Sequence, residues 1–93
     1  CHGPAGLVGA KKPDGTPLVA GKTITAFTDE EERAVQLEKV VPFLLESTLR
    51  SEGANFVGGP LWAPHVEVDG TLITGQNPAS SEAIAQAVLE QLR

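Results

Sequence analysis

One cysteine, two histidines and a run of four acids hold most of the chemistry open to this sequence. Cys1-His2-Gly3 matches the second half of a nucleophile elbow. Such a sharp strand-to-helix turn exposes a thiol beside the positive end of a helix, which favours the thiolate, and the glycine two residues on relieves crowding. The chemistry implied is nucleophilic attack by sulfur. Taken alone, C-x-G is a weak pattern, because cysteine is also a small apolar side chain that packs well in cores. The acids Asp29, Glu30, Glu31 and Glu32 follow Thr28, and Thr28-Asp29-Glu30-Glu31 reads as a capping box whose charges suit a helix N-terminus. His65, Glu67 and Asp69 alternate with Val66 and Val68, the pattern of a polar strand face.

These residues need elements to hold them. A tight turn into a short helix is predicted from Cys1 onward, followed by a Pro- and Gly-rich loop over 11–22. Residues 22–27 (KTITAF) read as a strand, and helices are predicted over 29–40 and 42–52, with Pro42 as first residue of the second and Gly53 ending it. Residues 55–57 read as a short strand. The segment 65–74 gives a hairpin turning at Asp69-Gly70. Asn77 and Pro78 open a last helix that carries Ala83, Ile84, Ala87, Val88 and Leu92 on one face. Trp62 stands on a loop between Pro60 and Pro64, placed either to rim a pocket or to plug the sheet edge. Helices interleaved with strands indicate a layered α/β sheet. The strand that would deliver Cys1 to its turn precedes these residues, so the 93 residues read as part of a domain.

Composition narrows the function. A net charge of −5 and a pI near 4.8 argue against nucleic-acid binding, which needs a basic face. No apolar run reaches the length of a membrane span. A lone cysteine excludes an intramolecular disulfide and a multi-cysteine metal site, and suits a reducing, cytoplasmic compartment.

Longer segments carry a family likeness. Cys-His-Gly-Pro-Ala at 1–5, Gly-Lys-x-Ile-Thr-x-Phe-Thr-Asp-x-x-Glu at 21–32, Val-Val-Pro-Phe-Leu-Leu-Glu at 40–46 and Asp-Gly-x-Leu-Ile-Thr-Gly-Gln-Asn-Pro-Ala-Ser at 69–80 resemble the ThiJ/PfpI superfamily. The branch they resemble contains the glutathione-independent glyoxalases III and heat-shock-type chaperones. The likeness runs over essentially all of 1–93 and implies the C-terminal portion of a single flavodoxin-like domain: a layered sheet flanked by helices, its N-terminal half lying outside this chain.

The resemblance implies a triad of Cys1, His2 and an acid near the start of a later helix, which falls on Glu32. Asp29, Glu30 and Glu31 stand beside it, and a slip of one residue would change the choice. It further implies a thiol enzyme converting 2-oxoaldehydes such as methylglyoxal to hydroxy acids, a glyoxalase III-like lyase that uses no metal or redox cofactor. The expected partners are a small aldehyde, the N-terminal half of the domain and, in the complete protein, a second copy. In such proteins the N-terminal half brings an acid beside the cysteine and glycine backbone donors for an oxyanion, so 1–93 alone is expected to be inactive. Protein deglycation belongs to the same chemistry. Three other readings compete. A class I glutamine amidotransferase would pair Cys1 with a distant His-x-Glu, here His65 and Glu67. An N-terminal-nucleophile hydrolase would use the α-amino group of Cys1 as base. A holdase chaperone would rest on exposed apolar patches.

Overall fold

The computed structural model describes residues 1–92. A 3₁₀ helix over Gly3–Leu7 leads into β1 (Thr23–Ile24), α1 (Asp29–Ala34), α2 (Leu45–Ser51), β2 (Asn55–Phe56), β3 (Val66–Asp69) and β4 (Leu72–Gly75). A 3₁₀ turn, Pro78–Ser80, then opens α3 (Ser81–Gln91). β1 and β2 run parallel, with Ile24 opposite Phe56, so the chain between them must cross over, and it does so through α1 and α2. β3 and β4 form an antiparallel hairpin with Val66 opposite Gly75.

Side chains join the two small sheets. Asp69 Oδ2 accepts the Thr23 amide at 2.7 Å, and Thr74 Oγ1 accepts the Thr25 amide at 2.9 Å. Val19, Ile24, Ala26, Leu45, Leu49 and Phe56 form the core beneath β1, with Ala5, Leu7 and Val8 packed against it. The backbone of Cys1 is held between the two sheets. Its carbonyl accepts the Phe27 amide at 2.8 Å, and its nitrogen lies 2.5 Å from the Gly75 carbonyl oxygen. Residue 1 is therefore fixed on one side by the segment after β1 and on the other by the end of β4.

Several elements are shorter than the sequence predicts. Only Thr23 and Ile24 of the expected strand 22–27 pair with a neighbouring strand. Thr25, Ala26 and Phe27 are buried, but their segment bonds to a side chain and to Cys1 instead. The first helix stops at Ala34 because Gln36 takes φ +60, the left-handed region that ends a helix. α2 begins only at Leu45, behind the N-cap Leu44, so Pro42 lies outside it rather than serving as its first residue. Gly53, at φ +92, follows the end of α2 as expected. In the hairpin Asp69 pairs with Leu72, so the turn residues are Gly70 and Thr71 and not Asp69-Gly70. Of the apolar face expected on α3, Ala83, Ile84 and Ala87 are half-buried, whereas Val88 and Leu92 face outward.

Candidate active site

The turn after Cys1 places two reactive side chains in contact. Cys1 Sγ lies 3.2 Å from His2 Nδ1, and His2 Nε2 lies 2.7 Å from Glu32 Oε2. Glu32 projects from the first turn of α1, and its side chain is 3% exposed against 48% for His2. A carboxylate can only accept hydrogen bonds, so the imidazole nitrogen facing it, Nε2, carries the hydrogen. In the neutral ring Nδ1 then presents a lone pair to the thiol, the state required to take its proton. Glu32 Oε1 is buried with no hydrogen-bond partner among the described residues, which leaves His2 as the group this carboxylate serves. The element following Cys1 is a 3₁₀ helix of five residues, not the α-helix start that an elbow supplies. Its dipole is correspondingly small.

The four neighbouring acids part company. Thr28 and Glu31 form the predicted capping box: Thr28 Oγ1 accepts the Glu31 amide at 3.1 Å, and Glu31 Oε1 accepts the Thr28 amide at 3.1 Å. Asp29 turns to α2, where Oδ2 meets the Ser47 hydroxyl, and Glu30 is exposed. Glu31 does more than cap. Its Oε2 accepts the Trp62 amide at 3.0 Å and Asn77 Nδ2 at 2.7 Å, and Glu31 itself is fully buried. Burial pushes this carboxyl up, but bonds from Asn77, Thr28 and Trp62 together outweigh it and hold the group below its ordinary range.

The capping box accounts for only part of the role of Glu31, and no sequence signal marks the rest. Glu31 belongs to a buried polar set with Gln76, Asn77 and Ser80 that fastens the loop over 59–65. Gln76 Oε1 accepts the Gly59 amide at 2.7 Å, Asn77 Nδ2 donates to the Ala63 carbonyl at 2.8 Å, and Ser80 Oγ accepts the His65 amide at 3.0 Å. The loop carries Trp62 edge-on to Phe27, with centroids 5.6 Å apart, and Phe27 lies 4.5 Å from the His2 ring. In the sequence Phe27 is only the end of a strand, and nothing local gives a reason to set it behind His2.

His65 belongs to a different cluster. Its Nε2 sits 2.8 Å from Glu67 Oε2 on the hairpin, the same-face pairing expected of alternating strand residues. The histidine in contact with the thiol is His2, which removes the main support for the amidotransferase arrangement. Among the described residues no group of His, Cys, Asp and Glu is arranged to hold a metal ion, and no helix is long and apolar enough to cross a membrane. An open cleft of about 330 Å³ lies beside Cys1, walled by Pro4, Leu7, Leu72, Ile73 and Ile84.

An α/β scaffold thus presents a thiol, an imidazole and a buried carboxylate in a row. Similar proteins show what such a chain is related to. No family profile matches the chain. It is 38% identical over 97 residues to the probable glutathione-independent glyoxalase hsp3104 of Schizosaccharomyces pombe, covering 99% of this chain and 44% of that protein. The solved structure of APC35852 superposes with a TM-score of 0.95 at 61% identity, over 99% of this chain and 42% of that one. Glyoxalase III of Candida albicans superposes at 0.87 with 31% identity, over 97% of this chain and 40% of that one. The chain is similar to glutathione-independent glyoxalases, consistent with the C-terminal portion of a ThiJ/PfpI superfamily domain. It spans less than half the length of those relatives.

Proposed function

We propose that these residues are the C-terminal part of a glutathione-independent, glyoxalase III-like lyase in which Cys1 is the nucleophile, His2 the general base and Glu32 the residue that orients it. The observation that supports this most is the row from Cys1 Sγ through His2 to Glu32, with contacts of 3.2 and 2.7 Å. His2 Nδ1 takes the thiol proton, and the sulfur adds to the aldehyde carbon of methylglyoxal to give a hemithioacetal. The hydrogen on that carbon leaves as a proton and is returned to the adjacent carbon. The former aldehyde carbon is thereby oxidised to a thioester while the neighbouring ketone is reduced to an alcohol. Water then cleaves the carbon–sulfur bond, releasing lactate and the thiol. Oxidation and reduction balance within the substrate, so the route calls on no external electron carrier. Glu32 keeps Nε2 protonated and favours the imidazolium formed when His2 takes a proton.

Formation of the pocket is proposed to need the remainder of a relative-length domain, seated over the apolar cleft beside Cys1. That part would complete the substrate site and supply donors for the developing oxyanion. The test is lactate formation from methylglyoxal by the complete protein, without added glutathione, compared with its Cys1→Ser variant. Turnover that is unchanged in Cys1→Ser would remove the proposal.

A further inference from the structure

We propose that Trp62 determines specificity at this site, offering a fixed apolar wall to the substituent of whatever carbonyl compound Cys1 attacks. This inference rests on Cys1 being the reacting thiol. The observations begin at the backbone. Trp62 sits at φ +59, a region that costs energy for any residue bearing a Cβ and especially a bulky one. Such conformations persist where surrounding contacts enforce them, and they cluster at functional sites. Here the enforcing contact is the Glu31 carboxylate on the Trp62 amide, within the buried set of Gln76, Asn77 and Ser80 that anchors both ends of the loop. The indole closes a row of three rings, His2, Phe27 and Trp62. Phe27 is buried, while Trp62 keeps 42% of its surface exposed. The pinned loop leaves the indole open at the end of that row, with Phe27 between it and the imidazole. A preformed aromatic face of this kind binds planar apolar groups by stacking or edge contact.

The test compares two alkylating reagents on the complete protein containing this chain. In each, the Cys1 thiolate displaces iodide and forms a thioether, but iodoacetanilide carries a phenyl ring and iodoacetamide does not. Rates are read at the Cys1 peptide by mass spectrometry. Wild type is expected to favour iodoacetanilide, Trp62→Ala to lower that preference about tenfold with the iodoacetamide rate little changed, and Trp62→Phe to restore most of it. A preference that survives Trp62→Ala, or its absence from wild type, overturns the inference. So does an equal slowing of both reagents in Trp62→Ala, which would give Trp62 a purely structural role. Alkylation needs no turnover. A protein inactive on methylglyoxal would therefore sink the glyoxalase reading, while the two alkylation rates would still decide the role of Trp62.

Discussion

His2 Nε2 and Glu32 Oε2 lie 2.7 Å apart, tying a half-exposed imidazole to a carboxylate that is almost wholly buried. The contact spans thirty residues of sequence, from the first turn of the chain to the first turn of α1. It fixes the tautomer of the ring, which leaves Nδ1 as the acceptor facing the Cys1 thiol.

Replacing the carboxylate with an amide tests this directly. In Glu32→Gln the amide can donate to Nε2, which moves the ring hydrogen to Nδ1, facing the sulfur. Lactate formation by the complete protein is expected to fall on the order of 10³-fold with the fold intact. The same change at Glu30, which is exposed, is expected to leave the rate within about twofold, since exposed surface substitutions cost little. Equal losses at both positions would show that Glu32 has no special partnership with His2.

Cys1→Ser keeps the shape of the site and removes the soft nucleophile. Turnover of methylglyoxal is expected to drop to background while thermal unfolding shifts little. If turnover survives in Cys1→Ser, the thiol is not the attacking group.

Glu31 is expected to govern stability against pH. Its carboxyl is held below its ordinary value, so its contribution is fully present above the unfolded-state value of 4.5 and is lost as pH falls through the lower folded-state value. Glu31→Gln removes the charge on which the Trp62 amide, Asn77 and Thr28 converge. A destabilisation of about 1–3 kcal/mol is expected at pH 7. Urea midpoints of wild type and variant should converge on acidification into that window. A gap that stays constant from pH 7 to about pH 3 would rule out the charged hydrogen-bonded state as its source.

Gly75 is expected to resist even alanine. A Cβ there would overlap Ile84 Cδ1 and come within 2.9 Å of Ile84 Cγ1, and the Gly75 carbonyl lies against the Cys1 backbone. Gly75→Ala should cost about 1–3 kcal/mol through overpacking and should slow alkylation of Cys1. Adding Ile84→Val shortens the obstructing side chain and should recover part of both losses. A double variant no better than the single one would place the strain elsewhere.

Much of the fold was legible because it is local. Thr28 and Glu31 announce the start of α1 through a three-residue spacing, and the alternation at 65–69 announces the hairpin. The adjacency of Cys1 and His2 is covalent, so their contact needed only a turn. Helix lengths were less legible. The left-handed residue that stops α1 is Gln36, which has no evident local preference for that region.

By itself the sequence determined that a thiol and an imidazole stand together on an α/β frame, with acids gathered at one later helix start. It also carried the family likeness in ordered motifs. Which acid meets the imidazole was decided by tertiary structure. Consecutive residues on a helix point about 100° apart. Glu31 therefore faces the buried Asn77 and Trp62, while Glu32 faces His2. The rotational phase of α1 against Cys1 depends on how α1 packs on α2 and on the strands, and only the assembled structure contains that information. The row of His2, Phe27 and Trp62 has the same origin: its members come from three separate segments, which meet because the buried bonds of Glu31, Gln76 and Asn77 pull the loop onto the sheet.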